Sequence, residues 1–372
     1  MRILYVFRSL AVWGGIERVL VEKMNYLSSV YGYDVYMITS DQSNHPIPYY
    51  LEETVHIEDL NIRFHHQYKY NIVKRQWVKK RLKQKYEQCL DIRIRQIQPD
   101  IIVCTTADHI DSLVKLKGTI PLVVESHSIC LRTIENGKYW LQRKLYKHHY
   151  LKALQKADVI VALTEGDASE WRKVHSHIVV ISNIVHLNEG AISSLDNKRV
   201  IWVGRFDYQK RPLEMVRIWE RIHPQFPDWQ LDIYGEGEQR QELEEKVCSS
   251  GMNIVIHHPT EHILDCYRES AILVSTSLFE PFGLVIPEAM SCGLPVVAFD
   301  CPYGPADIIS DSKNGYLIDY DNIDNYIDKL SLLMCDRNLR IKLGRDGLES
   351  SKRYEANIIM PLWKGLFKQL VE

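Results

Sequence analysis

The passage from Ala271 to Asp300 constrains this chain more than any other. A short apolar segment, Ala271 to Val274, runs into the polar cluster Ser275-Thr276-Ser277, and a second apolar run extends from Leu294 to Phe299. Short uninterrupted apolar runs of this kind read as strands buried on both faces, as in a parallel sheet. Pro287 fits the first turn of an intervening helix, where its missing N–H costs nothing, and Gly293 fits the end of that helix. The spacing therefore predicts strand, loop, short helix, strand, with Glu280 and Glu288 both near the loop–helix junction. The amides of Phe282, Gly283 and Leu284 would open onto the same cleft. Free amides at a helix start attract anions, and carboxylates accept hydrogen bonds from hydroxyls. A ligand rich in phosphate and hydroxyl groups, such as a nucleotide-sugar, meets both demands.

The same grammar repeats along the chain. Ile3 to Phe7 reads as a buried strand, and Gly14-Gly15 precedes an amphipathic helix carrying Ile16, Val19, Leu20, Met24, Leu27 and Val30. Two glycines before a helix let the backbone approach a ligand closely. A nicotinamide-binding Gly-x-Gly-x-x-Gly after this strand is missing, which disfavours an oxidoreductase. Further strands are expected at Asp100–Thr105, Pro121–Glu125, Asp158–Leu163 and Val179–Ile181, with a long basic helix from Lys138 to Ala157. His127 follows the strand ending at Glu125, at the edge where open α/β sheets bind ligands; Glu125 itself reads as support for the loop. The polar stretch Asn188 to Lys198 is the linker candidate. Beyond it, Val200–Val203 leads into Gly204-Arg205 and Lys210. Gly204 permits close approach, Arg205 offers a two-pronged fork and Lys210 a mobile charge, together a diphosphate clamp. His257 and His258 are strand neighbours that point to opposite faces, so they make a poor metal pair. Asp319-Tyr320-Asp321 reads as a solvated turn.

Glu280 and Glu288, with Phe282, Gly283, Pro287, Ala289-Met290 and Gly293-Leu294-Pro295, resemble the Glu-x7-Glu signature of retaining glycosyltransferases of family 4. The resemblance extends to Gly14-Gly15, His127 and Arg205…Lys210, in order and over nearly the full length. It implies an α/β chain of two Rossmann-like, doubly wound parallel-sheet domains facing across a cleft, the GT-B architecture. The first domain (1–187) would bind the acceptor and the second (188–354) the nucleotide-sugar, with the terminal helix (355–372) packing back on the first. The resemblance implies catalytic roles for Glu280, Arg205, Lys210 and His127. Gly15, Gly204, Phe282, Gly283, Leu284 and Glu288 would bind the donor, Gly15 through its amide and Glu288 through the ribose hydroxyls. It implies a UDP-sugar as co-substrate, with no cofactor and no metal. The acceptor would be a glycan or lipid-linked glycan. Asp300-Cys301-Pro302-Tyr303-Gly304-Pro305 is similar to a segment of a subgroup that includes N-acetylgalactosamine transferases. That subgroup hints at an acetamido-sugar or galactose-type donor. A non-catalytic nucleotide-sugar sensor and a UDP-sugar epimerase of the same fold remain as alternatives.

Composition bounds the remaining choices. A length of 372 residues suffices for two domains with sizeable cores, and 45% hydrophobic against 25% charged residues is ordinary for a globular protein. Eight cysteines without a Cys-x-x-Cys pair read as reduced thiols of a cytoplasmic protein. No signal peptide and no membrane-spanning run are expected. The net charge of −2 hides an asymmetry: residues 1–190 carry 26 Lys and Arg against 20 Asp and Glu, and the remainder 20 against 28. The basic segment 63–95, around Trp77 and Tyr86, reads either as a solvated helix face or as an arm on an anionic membrane surface. The membrane reading would make the protein peripheral on the cytoplasmic face. Nucleic acid is not expected, since the chain as a whole is not basic and contains no nucleic-acid module.

Overall fold

The computed structural model describes residues 1–106, 109–134 and 140–372, the side chains of 140–146 apart. The chain forms two compact units. Unit 1 comprises Met1–Leu163, Asp167–Ile184 and Ala356–Glu372; unit 2 comprises Val185–Glu355 with Thr164–Gly166.

Unit 1 is built on seven strands: β1 (Arg2–Phe7), β2 (Asp34–Thr39), β3 (Val55–Asp59), β4 (Ile101–Thr105), β5 (Leu122–Glu125), β6 (Val159–Ala162) and β7 (Ile178–Val180). They lie in the order β3-β2-β1-β4-β5-β6-β7, every neighbouring pair parallel. The helices between them are α1 (Gly15–Ser29), α2 (Ile72–Ile97), α3 (Ile110–Leu116), α4 (Cys130–Ile134), α5 (Trp140–Leu154) and α6 (Glu165–Trp171). The basic helix expected from Lys138 is α5; Lys138 itself lies outside the described residues. Side chains alternate across a strand, and here that period separates two cores. Ile3, Tyr5, Phe7, Ile101, Val103, Val123, Val159 and Val161 face α1. Leu4, Val6, Ile102, Cys104, Leu122, Val124, Ile160 and Ala162 face the opposite layer, with Tyr86, Leu90 and Ile94 of α2.

Unit 2 has six parallel strands, β8 (Arg199–Val203), β9 (Gln230–Tyr234), β10 (Ile254–His257), β11 (Ile272–Ser275), β12 (Val296–Asp300) and β13 (Tyr316–Asp319), in the order β10-β9-β8-β11-β12-β13. Its helices are α7 (Pro212–Ile222), α8 (Arg240–Ser250), α9 (Ile263–Arg268), α10 (Val285–Ser291), α11 (Gly304–Ile308), α12 (Ile323–Cys335) and α13 (Arg337–Ser351). Pro212 opens α7, and Met215, Val216, Ile218, Trp219 and Ile222 bury its apolar face. The final helix, α14 (Ala356–Val371), belongs to unit 1, where Ile359, Met360, Trp363, Leu366 and Phe367 share the core of Ile3 and Tyr5.

The unit boundary falls at Ile184–Val185, three residues ahead of the expected 187–188. The stretch expected as a linker is not one. Asn188 N–H donates to Ser291 Oγ (2.9 Å), Ser193 N–H to the Cys292 carbonyl (2.9 Å), Ser193 Oγ to the Ser270 carbonyl (2.5 Å), and Leu195 is buried. Its polar side chains are partners for unit 2's own backbone, which composition cannot distinguish from solvation.

Candidate functional site

In each sheet the strand order reverses once, between β1 and β4 and between β8 and β11. Loops leaving the strand ends at such a reversal diverge to opposite faces and open a crevice, which is where open α/β sheets bind ligands. In unit 2 the two loops at that point are 204–211, after β8, and 276–284, after β11. These loops hold Gly204, Arg205 and Lys210 on one side and Glu280, Phe282, Gly283 and Leu284 on the other.

The two loops are fastened to each other. Thr276 Oγ1 donates to the carbonyls of Lys210 (3.1 Å) and Arg211 (2.9 Å), and accepts from Trp202 Nε1 (3.0 Å). Leu278 N–H donates to the Gln209 carbonyl (2.7 Å), and Gln209 Nε2 to the Phe279 carbonyl (3.2 Å). Asp207 Oδ1 accepts from the Lys210 amide (2.9 Å) and turns the first loop. The result is that Lys210 Nζ meets Glu280 Oε2, with both side chains largely buried, while Ser277 Oγ lies 3.3 Å from the same oxygen. The Glu280 backbone is equally held: its N–H donates to the Pro302 carbonyl (2.7 Å), and its carbonyl accepts from Tyr303 (3.0 Å) and Gly304 (2.8 Å).

Arg205 behaves differently. Its guanidinium is exposed, hydrogen-bonded to Gln209 Oε1 (3.0 Å) and 3.1 Å from Asp207 Oδ2, so it is a positioned surface charge beside the buried pair. Phe282 packs its ring edge-on against Tyr354 in the interior, which leaves only its backbone for a ligand. Among the described residues the N–H groups of Phe282, Gly283 and Leu284 find no acceptor, as expected ahead of a helix that starts at Val285. Gly283 has φ +96°, and a Cβ there would come within 3.0 Å of Glu280 Cγ. Glu288 is buried on α10. Under the β8 loop, a Cβ on Gly235 would sit 1.9 Å from the Gly204 carbonyl oxygen, so only glycine lets the two turns touch.

Unit 1 places Gly15 at the first residue of α1, in the loop after β1. Tyr49 Oη donates to the Gly14 carbonyl (3.0 Å) and holds that loop. His127 is buried at the end of β5. Asp167 orders its loop: Oδ1 accepts from the Cys130 amide (2.8 Å), and Oδ2 from Ser126 Oγ (3.0 Å) and Trp171 Nε1 (2.8 Å). Burial pushes the Asp167 carboxyl up, against those hydrogen bonds. His127 Nε2 lies 2.9 Å from Glu125 Oε2, and Lys23 Nζ of α1 meets the same oxygen. Glu125 is thus a partner of His127 itself and not merely of the loop.

The residues that sequence reasoning missed are mostly the fasteners: Thr276, Ser277, Asp207, Gln209 and Lys23. Thr276 and Ser277 stand in the polar cluster that ends a predicted strand, and Lys23 left a signal of its own. It falls on the apolar stripe of α1, three residues after Leu20 and four before Leu27, where a charge has no reason to be unless it is paired.

Other polar features of unit 2 have structural partners. His257 stacks on Tyr234 and pairs with Asp232 Oδ1 (2.8 Å), whereas His258 lies 3.1 Å from Glu236 Oε2. Asp321 binds Arg211 Nη1 (2.8 Å). No group of three or more His, Cys, Asp or Glu arranged for a metal ion occurs among the described residues.

Comparison with known proteins gives this geometry a context. Residues 13–189 match the family described as Glycosyltransferase Family 4, and residues 189–349 match Glycosyl transferases group 1. The chain is 31% identical to the amylovoran biosynthesis glycosyltransferase AmsD of Erwinia amylovora, over 56% of this chain and 62% of that protein. It is 23% identical, over 96% of both chains, to an α-1,4-N-acetyl-D-galactosaminyltransferase of Campylobacter jejuni named for a diNAcBac-PP-undecaprenol-linked substrate. The fold is that of a S. aureus TarM variant solved with fondaparinux, α-GlcNAc-glycerol and UDP (TM-score 0.78, 16% identity, 98% of this chain and 99% of that one).

Proposed function

This chain belongs to the glycosyltransferases of group 1 and family 4, and we propose that it moves a hexose or N-acetylhexosamine from a UDP-sugar to a glycan acceptor, with retention at the anomeric carbon and without a metal. The observation that carries the reading is the contact of Lys210 with Glu280, on two loops fastened together at the sheet's reversal point beside three amides that find no acceptor among the described residues. Cation, carboxylate and amides are what a sugar diphosphate offers partners for: phosphate oxygens to Lys210 and Arg205, sugar hydroxyls to Glu280, ribose hydroxyls to Glu288. To unit 1 we assign the Gly15 amide for the diphosphate and His127 for the sugar.

Transfer requires the C1–O bond to the diphosphate to break while a C1–O bond to the acceptor forms. For retention without a covalent intermediate, the acceptor hydroxyl attacks from the face the diphosphate leaves. Its proton passes to the departing phosphate oxygen, giving the new glycoside and UDP. Charge grows on that diphosphate as it leaves, and Arg205, Lys210 and oriented amides stabilise it where it appears. The proposed setting is bacterial surface-glycan synthesis with a lipid-linked acceptor, a reading supported by the names of the relatives.

The test is turnover of a panel of UDP- and GDP-sugars with and without EDTA, comparing wild type, Glu280→Ala and Lys210→Ala. UDP release that survives EDTA and falls at least about 100-fold in both folded variants is expected. Failure of UDP to bind would remove the reading altogether. Binding without turnover across donors and acceptors would favour a sensor.

The membrane part of the proposal rests on α2. From Lys69 to Lys85 the chain carries eight Lys and Arg and no Asp or Glu. The first buried residue of the helix is Tyr86, so its first turns stand clear of the core. That portion exposes Ile72 (80%), Val73 (84%) and Trp77 (59%). Arg75 stacks on Tyr68 (4.2 Å), Lys74 on Tyr70 (4.5 Å) and Arg81 on Trp77 (5.4 Å). Exposed aliphatic and aromatic side chains interleaved with cations, Lys74, Arg75, Lys79, Lys80 and Arg81 among them without an acidic partner among the described residues, suit an anionic lipid surface. Four expected members of the arm do other work: Tyr86 is in the core, Lys83 pairs with Asp111, Arg93 with Glu58 and Arg95 with Asp91. No described helix is long and apolar enough to cross a membrane.

A further inference from the structure

Unit 1 holds a charged cluster that its packing does not require. Lys23 is 2% and Glu125 1% exposed, in contact with each other inside the layer where β5 meets α1. The alternation of β5 points Glu125 to the same face as Val123, into a core of Ile, Val and Leu. Desolvating two charges costs several kcal/mol per ion, and an apolar pair of similar volume in such a place is often as stable or more so. Stability therefore does not account for the pair. Nor is it fully satisfied: among the described residues, Glu125 Oε1 and the neighbouring Tyr5 hydroxyl are both buried without a hydrogen-bond partner. All of the contact is concentrated on Glu125 Oε2, which receives Lys23 from one side and His127 Nε2, at 2.9 Å, from the other.

A carboxylate only accepts hydrogen bonds, so its histidine neighbour must present a proton from Nε2. A neutral carboxylic acid could donate instead and reverse the arrangement. Burial alone drives the Glu125 carboxyl up toward that neutral form. The Lys23 charge, with the His127 hydrogen bond, outweighs burial and brings it down to about 2. Lys23 is in turn enclosed by α14, whose Trp363 ring lies 4.3 Å from Nζ.

Resting on the assignment of His127 to the sugar, we infer that Lys23 and Glu125 are positioning residues for His127. They hold its ring in the Nε2–H form and in one orientation, leaving Nδ1 as the atom that meets a substrate hydroxyl. Lys23 keeps Glu125 an anion, Glu125 fixes the proton on Nε2, and the ring then has one face and one free nitrogen for its work. Among the described residues Nδ1 makes no hydrogen bond.

The experiment is 15N NMR of the full chain near pH 8, where an ordinary histidine is neutral. The His127 signals are assigned by their loss in His127→Asn. Wild type is expected to show a protonated Nε2 and a bare Nδ1. In Lys23→Met, and in the charge-free double variant Lys23→Met/Glu125→Gln that guards against misfolding, the signals should move to the Nδ1–H form or a mixture. With the donor sugar that wild type turns over, kcat should fall about 10- to 100-fold, as for outer partners of other functional histidines, while donor KM changes little. Wild type in the Nδ1–H form, or a folded double variant with unchanged tautomer and kcat, would overturn the inference and leave the transferase reading intact. The converse is separable too: the expected tautomer shift in a protein that uses no nucleotide-sugar would sink the transferase reading alone.

Discussion

Single residues decide how much of this chain's chemistry is held ready. Gly283 is the clearest case, because its left-handed backbone and the proximity of Glu280 Cγ both exclude a side chain. Gly283→Ala should cost about 1–3 kcal/mol of stability, measured by denaturant unfolding. It should raise the donor KM well beyond what that loss explains, since the added methyl displaces Glu280. A variant with unchanged KM would remove Glu280 from the donor contacts. Glu125 yields a pH prediction whose sign can be worked out. Its folded pKa is about 2 against an ordinary 4.5, so the folded state binds its proton less readily than the unfolded one. The resulting stability is fully present above pH 4.5 and is lost as pH falls toward 2. Wild type should therefore lose stability more steeply across that window than Lys23→Met/Glu125→Gln. Parallel acid limbs in the two proteins would contradict it.

At the scale of elements, two helices carry consequences that their sequences half concealed. The first turns of α2 bury none of their own side chains, so replacing Lys74, Arg75, Lys79 and Lys80 with glutamine should leave the melting temperature nearly unchanged. Binding to anionic vesicles should weaken nonetheless, since each cation near lipid is worth about 1 kcal/mol. Equal binding by both proteins would return α2 to the status of a solvated helix. The final helix behaves in the opposite way. Phe367 is fully buried in the core that Ile3 and Tyr5 share, and Phe367→Ala should cost about 3–5 kcal/mol by denaturant unfolding.

For the whole molecule, the discontinuous make-up of unit 1 matters most. Its core is completed by residues 356–372, on the far side of unit 2 in sequence. A chain ending at Glu355 should therefore lose the protease resistance of 1–184 while residues 185–355 keep theirs, as mapped by limited digestion and mass spectrometry. Resistance preserved throughout would mean that α14 is dispensable to the core.

Much of the local structure was legible in the sequence, although β3 (Val55–Asp59) was not. Short apolar runs with no alternation announced buried parallel strands, and Pro287, Gly293 and the helical spacing of Ile16 to Leu27 bounded elements within a residue or two. The sequence also marked the loops bearing Gly204, Arg205, Lys210 and Glu280 and the helix bearing Glu288, because glycines, cations and acids near strand ends stand out against an apolar background. The tertiary structure alone decided which of these residues meet. That Lys210 reaches Glu280 depends on the adjacency of β8 and β11, and that Lys23 reaches Glu125 depends on α1 packing over β5; these partners stand 70 and 102 positions apart in the chain. It also decided that Asn188–Lys198 is stitched down, that Lys83 is spent on Asp111, and that Trp363 closes over Lys23. For the two buried pairs the reason is the same. Periodicity records whether a side chain faces water or core, but a buried charge is stabilised only by a particular partner, and partners are chosen by the order of strands in a sheet.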